Sequence, residues 1–351
     1  MPKIADLETP CVLIDAARVE ANLARAQAHA NANGYKLRPH IKTHKSIRFA
    51  RRQIELGAVG ITAQKLGEAE VMADAGIADI FVPYNIVGAG KLARLAALNA
   101  RVTLSVTADS ADVVAGYART ASTSKPLTVL VECDTGGRRC GVQSPADAVA
   151  LARMIAGGPS LRFGGLMSYP PRGKMEEADR WLGQVKAEIE RDGIAVPVVT
   201  SGNTPDMWHT GDHNVTERRP GTYIYFDRGQ VSFGVASWAD CALTVLATVV
   251  SRPTPTRIVL DAGSKALSSD LFGQTGYGAL QDRPSFVLTS LSEEHGVIEL
   301  DAASQWPAVG ERVHIVPNHA CVVSNLFDRV YLAGTGGEVE IMPVDARGRS
   351  D

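Results

Sequence analysis

The chain has no hydrophobic run approaching the length a bilayer demands, and residues 1–8 hold no apolar stretch of signal-peptide length, so a cytoplasmic location is expected. A charge excess of either sign is absent as well: Lys and Arg number 36 against 38 Asp and Glu, a formal net charge of −2. So balanced a chain carries no electrostatic footprint for nucleic acid or a membrane surface, which leaves a small molecule as the expected partner. Cysteine is sparse. Cys11, Cys133, Cys140, Cys241 and Cys321 are scattered without paired spacing, which speaks against a disulfide framework and a structural zinc knuckle, although one thiol can still serve as a ligand. Low-complexity tracts are missing, and Arg252-Pro253-Thr254-Pro255-Thr256 is only a loop.

What is present is a long strand-then-helix alternation. With 351 residues, 45% of them hydrophobic, the chain can fill a large core. Apolar runs of strand length lie at Lys36 to Lys42, Gly60 to Gln64, Ile80 to Asn85, Val102 to Thr107, Leu127 to Cys133, Phe163 to Tyr169, Val196 to Gly202 and Val215 to Tyr225. Helical spacing separates them, as at Leu66 to Ala75, Lys91 to Ala100, Ala111 to Ala121, Ala146 to Ile155 and Glu176 to Asp192. Each connection is long enough for a right-handed crossover, so the expected fold is α/β, a (β/α)8 barrel of parallel strands over residues 16–226. After Phe226 the segments read as strands joined by turns, with no helical spacing. Residues 227–351 are therefore expected to form a β-rich second domain, joined by residues 1–15, whose strand Cys11 to Asp15 would otherwise be a ninth barrel unit.

In such a barrel, chemistry sits at the carboxyl ends of the strands. Lys42 ends the first, in Arg38-Pro39-His40-Ile41-Lys42-Thr43-His44-Lys45, where neighbouring cations favour the neutral, nucleophilic amine that a Schiff base requires. A solvated basic loop or a phosphate-grabbing patch is the alternative. Gln64 ends the second strand, Asp134 to Gly141 follows the fifth and Tyr169 ends the sixth. Ser201-Gly202-Asn203-Thr204 follows the seventh, and Gly221-Thr222 lies in the eighth unit; small residues there let backbone N–H groups approach a phosphate, unless the glycines merely make turns.

With those residues in place, the chain resembles the alanine racemase-like, fold-type III pyridoxal-phosphate enzymes. Arg38 to Lys45, Asp134 to Val142, Asp261 to Asp270, Ser292 to Gly296 and Pro317 to Cys321 together resemble the D-threonine aldolase and D-serine dehydratase group over nearly the whole chain. The resemblance implies a homodimer using pyridoxal 5'-phosphate and a divalent metal ion (Zn, Mn, Mg or Co) on D-configured β-hydroxy amino acids. It implies Lys42 as the Schiff-base lysine, with Lys45 as the competitor facing solvent or phosphate. It further implies Arg139 near the cofactor's phenolic oxygen and Tyr169 against the pyridine nitrogen, with Ser201, Gly202, Asn203, Thr204, Gly221 and Thr222 as the phosphate contacts.

His319 and Cys321 are the metal candidates that match the family pair. On an extended strand, residues two apart face one way, so imidazole and thiolate can converge on one ion and leave its other positions open to the substrate; the alternative is a buried thiol beside a hydrogen-bonded histidine. His40, Gln64 and His295 are substrate-side candidates. The resemblance leads first to D-threonine aldolase, with D-serine or D-threo-3-hydroxyaspartate dehydratase as the alternative. An amino-acid racemase, with Tyr277 or Tyr331 as second base, and a non-catalytic pyridoxal-phosphate carrier are lesser ones.

Overall fold

The computed structural model describes residues 2–299 and 306–351. It divides into two compact units, one of residues 26–42, 47–221 and 349–351, the other of residues 1–25, 43–46 and 222–348. These limits differ from 16–226 and 1–15 plus 227–351, because periodicity marks a helix without saying what it packs on. The helix Ala16–Ala32 begins in the second unit, where Arg18 donates to the Cys241 carbonyl (2.8 Å) and Asn22 to that of Asp240 (2.9 Å). Residues 43–46 join the same unit, and the Ala346 N–H donates to the Lys45 carbonyl (3.0 Å).

Strand β1 (Cys11–Asp15) belongs to the second unit's sheet. The next eight form the parallel sheet of the first unit: β2 (Lys36–Leu37), β3 (Ile61–Thr62), β4 (Asp79–Val82), β5 (Thr103–Ala108), β6 (Leu127–Cys133), β7 (Leu161–Ser168), β8 (Val198–Ser201) and β9 (Glu217–Arg218). Their order is β2-β9-β8-β7-β6-β5-β4-β3. The two ends then meet, since His40 bridges Thr62 in parallel and the Thr62 N–H donates to the Pro39 carbonyl (2.8 Å). The sheet curls into a barrel.

Several barrel strands are shorter than the apolar pattern suggested, the first and the last most of all. The first ladder stops at Leu37, two residues before Pro39, and Ile41–Thr43 forms a single 3-10 turn. The last stops at Arg218, just before Arg219 and Pro220, and Thr222–Ile224 is again 3-10. A proline has no N–H to give to a ladder. Inside the barrel Phe81, Leu130 and Met167 pack together against Val198. Removing each such side chain from water contributes about 1.5–3 kcal/mol.

The second unit is a sheet of β10 (Leu243–Thr254), β11 (Arg257–Leu260), β12 (Gly278–Leu280), β13 (Leu288–Leu291), β14 (Gly296–Glu299), β15 (Arg312–Pro317), β16 (Arg329–Ala333) and β17 (Val339–Pro343), together with β1. The main path runs β13-β14-β11-β10-β1-β16-β17, and β15 pairs with β10 and β12. All pairings are antiparallel except that of β1 with β16. The expectation of no helix after Phe226 fails at Arg228–Ser232, Ser264–Leu267 and Ala320–Leu326, which are too short to carry a periodic pattern. No helix of the described residues is long and apolar enough to cross a membrane.

Candidate active site

Lys42 lies half-buried in the turn Ile41–Thr43, past the strand rather than at its end. Its N–H donates to His40 Nδ1 (3.3 Å), and His40 Nε2 is 3.0 Å from Gln64 Oε1. With one ring nitrogen accepting and the other placed to donate, the imidazole is held as a single neutral tautomer. Lys42, His40 and Gln64 are thus brought together. Lys45 corrects the expectation that it faces solvent or phosphate: it is 6% exposed, and its amine is 3.4 Å from the Ala346 carbonyl.

Beyond β6 the loop is shaped by Asp134, whose Oδ1 accepts from the N–H groups of Gly136 (2.9 Å) and Arg138 (3.0 Å). The Arg139 guanidinium lies 4.8 Å from the centre of the Tyr169 ring. Both line a cavity of about 180 Å³ with Glu132, Asp134 and Cys140. Glu132 is buried; burial pushes its carboxyl pKa up, while the charge of Arg139 and a hydrogen bond from Thr107 (3.2 Å) pull it down. Behind them Arg219 is buried too, donating to the Ser168 carbonyl (2.8 Å) and to the Thr200 hydroxyl, and burial lowers its pKa to about 10.

The small-residue stretch after β8 is internally braced. Ser201 Oγ is 2.9 Å from Ser168 Oγ, Asn203 donates to the Pro170 carbonyl (3.1 Å), and Thr204 Oγ1 accepts from the Gly221 N–H (3.1 Å). That last bond joins the two predicted phosphate stretches. Gly202 has φ +103°, a conformation that a side chain would strain. A half-buried lysine, an arginine stacked on a tyrosine and a braced glycine-bearing loop fit pyridoxal phosphate. The Thr222 hydroxyl lies 3.4 Å from Cys321 Sγ.

His319 and Cys321 come together, but not on a strand. β15 ends at Pro317, His319 is the extended residue before the helix, and Cys321 is in the first turn of Ala320–Leu326. The thiol is 3.0 Å from the Thr43 hydroxyl, and His319 Nδ1 is 2.7 Å from Asp270 Oδ2. Burial lowers the His319 pKa, but its hydrogen bonds to Cys321 and Asp270 and the charges of Cys321 and Asp227 outweigh that and raise it to about 9. Asp227, fully buried, accepts from the Ala320 (2.9 Å) and Gln230 (2.9 Å) N–H groups, and burial pushes its pKa up to about 6. No three His, Cys, Asp or Glu residues among those described converge to hold an ion. An imidazole and a thiol in contact fit a divalent cation as a two-donor set whose other positions stay open. His295 is not brought to them; it sits exposed in the β13–β14 turn, with Ser292 as its partner (3.4 Å).

The alanine racemase N-terminal domain family matches residues 14–229, and a serine dehydratase domain matches residues 242–333. A D-threonine aldolase of Arthrobacter sp. is 33% identical over 99% of this chain and 94% of its own length. The chain belongs to the D-threonine aldolase and D-serine dehydratase family of alanine racemase-like, fold-type III pyridoxal-phosphate enzymes. It is a lyase. The solved D-threonine aldolase of Filomicrobium marinum superposes with a TM-score of 0.92 at 32% identity, covering 99% of this chain and 97% of that one. The D-threo-3-hydroxyaspartate dehydratase of Delftia sp. (strain HT23) is 33% identical over 95% of this chain and 96% of its own. A dehydratase of that name with alanine at one cysteine is known in a metal-free form (TM-score 0.88, 31% identity, 98% of this chain, 99% of that one).

Within this family member, four residues escaped the sequence reading. Glu132 and Arg219 lie in or beside strands, where a charged residue signals only a break in apolar alternation. Asp227 lies in a Phe-Asp-Arg stretch without periodicity. Asp270 closes the Asp261 to Asp270 stretch, which stands out in the sequence only by its likeness to the family.

Proposed function

We propose that the chain is a pyridoxal-phosphate- and divalent-cation-dependent D-threonine aldolase that cleaves D-β-hydroxy-α-amino acids to glycine and an aldehyde. The observation that carries the reading is the full-length likeness to D-threonine aldolases, combined with a histidine and a cysteine in contact at the family's metal pair. Lys42 would hold the cofactor, with Arg139 and Tyr169 at its ring and Ser201 to Thr204 and Gly221 to Thr222 at its phosphate. When bound, pyridoxal phosphate supplies a conjugated ring that draws electrons from a bond broken at the substrate's α-carbon. A divalent cation held by His319 and Cys321 supplies a Lewis acid for the β-hydroxyl.

The chain's own groups then do the following work. Lys42 would be the amine that takes or returns a proton at the α-carbon. His40, locked as one tautomer by Gln64, hydrogen-bonds the backbone of Lys42 and fixes the turn that carries the amine. Arg139 presents a fixed positive charge, and its stacking on Tyr169 limits the directions in which it can point. In aldol cleavage the proton leaves the β-hydroxyl and the Cα–Cβ bond breaks. In dehydration it leaves the α-carbon and the C–O bond breaks. Both need the same residues, so the dehydratase is the second reading, favoured by the metal-free form of a dehydratase that has lost a cysteine.

Incubation of the purified enzyme with D-threonine, pyridoxal phosphate and Mn²⁺ decides between them. Glycine with acetaldehyde is the expected outcome. 2-Oxobutanoate with ammonia would replace the aldolase by the dehydratase, and the absence of any product with the cofactor bound would leave a carrier. We also propose a homodimer, to be checked by light scattering on the loaded protein.

A further inference from the structure

The segment before β12 does more than connect elements. It surrounds one imidazole. His319 Nδ1 is 2.7 Å from Asp270 Oδ2, and the His319 ring is stacked on Phe272 with centroids 4.2 Å apart and planes 16° from parallel. Phe272 adopts φ +48°, a left-handed conformation that is costly for a bulky residue and persists only where its surroundings enforce it. Those surroundings are visible. Asp270 Oδ1 accepts from the Phe272 N–H (2.9 Å), and Asn318, next to His319, donates to the Leu271 carbonyl (3.1 Å). Gly229 leaves the space that the Phe272 ring fills, since a Cβ there would lie 2.3 Å from Phe272 Cδ1.

Both oxygens of Asp270 are thus engaged, one by a backbone N–H and one by the imidazole. The carboxylate is placed to orient a ligand, not to be one. With Nδ1 engaged by Asp270, Nε2 is the nitrogen left to a cation, and the Phe272 stack fixes the plane in which it points. We propose that Asp270 and Phe272 form a clamp that presets the tautomer and plane of His319 for the divalent cation, Asp270 acting as a positioning residue. The proposal rests on the reading that His319 and Cys321 hold that cation. It adds that a loop more than forty residues upstream, outside the His-x-Cys motif, sets the affinity.

The test uses Co²⁺ alone as probe, with the full-length, cofactor-loaded protein and affinities measured by competition against a chromophoric chelator. Asp270→Ala is expected to weaken Co²⁺ binding roughly 10- to 100-fold, the usual effect of removing a carboxylate behind a ligating histidine. Asp270→Asn keeps an oxygen that can accept from Nδ1–H and should recover part of that loss. Phe272→Leu should weaken binding less than Asp270→Ala. The thiolate-to-cobalt absorption should persist in all three at saturating metal and vanish in Cys321→Ala. Should Asp270→Ala disturb the fold by circular dichroism, Asp270→Asn alone decides. Unchanged affinity in the Asp270 variants, with His319→Ala and Cys321→Ala losing Co²⁺, would overturn the clamp and leave the metal pair standing. Wild-type affinity in His319→Ala and Cys321→Ala would overturn both.

Discussion

A lysine amine can hold an aldehyde only if it is within reach and unprotonated for part of the time, and two lysines in the Arg38 to Lys45 stretch compete for that role. Their surroundings separate them. Lys45 is enclosed, with its amine against the Ala346 carbonyl, whereas Lys42 is half-buried in a turn tied to His40. After borohydride reduction of the loaded enzyme and digestion, peptide mapping is expected to find the pyridoxyl group on Lys42. A tag on Lys45 would reverse the assignment. Asp179 makes a second residue-level case, one of stability. Its carboxylate accepts from the N–H groups of His213 (3.1 Å), Asn214 (2.9 Å) and Val215 (3.0 Å) and from the Asn214 amide (3.0 Å). Burial opposes ionisation there, but these donors outweigh it and hold the pKa below the usual range. A folded pKa below the unfolded value of about 4 gives stability that is complete above that pH and is lost as pH falls through the folded pKa. Asp179→Asn turns acceptors into donors facing N–H groups, so a loss of about 3 kcal/mol at pH 7 is expected in urea melts, shrinking towards pH 3. A constant deficit across that range would show that the charge is not responsible.

At the scale of elements, β7 shows how a strand can be legible while its geometry is not. Apolar content marks Phe163 to Tyr169, and the observed strand is Leu161–Ser168. Nothing in that pattern reveals that the register with β6 shifts between Val129 and Leu130, or that Gly165 has φ +121°. A Cβ on Gly165 would lie 1.9 Å from the Val198 carbonyl oxygen, so β7 and β8 can pair as they do only with glycine there. Gly165→Ala is expected to cost about 4 kcal/mol or more, seen as a large drop in the thermal midpoint or a failure to fold. A midpoint within a few degrees of the parent would mean the bulge relaxes freely. The proposed metal pair illustrates the same limit. The i, i+2 spacing of His319 and Cys321 predicts an extended strand, and they meet instead across a helix start. Two residues apart is close enough in either geometry, so imidazole and thiol meet although the strand is not there. Asp270 was invisible as a partner because a contact across 49 positions leaves no trace in local spacing.

For the molecule as a whole, the alternation of strand and helix sufficed for the barrel, because seven crossovers of one hand leave few other topologies, and the β-rich remainder was plain from its turns. Which residues belong to which unit was not, since residues 43–46 leave the barrel by contacts that no periodicity encodes. The consequence for function is a dependence that chelation can probe. If the cation acts only through His319 and Cys321, removing it with EDTA should leave the cofactor's visible absorption in place while turnover of D-threonine falls. A Lewis acid that contributes about 3 kcal/mol to the barrier corresponds to roughly a 100-fold loss. Cys321→Ala should show a similar loss, and EDTA should then change its residual rate by less than about twofold, since groups acting as one unit are not additive. A further large drop on chelation would place a working cation away from this pair, and full activity in Cys321→Ala would remove the thiol from the reaction altogether.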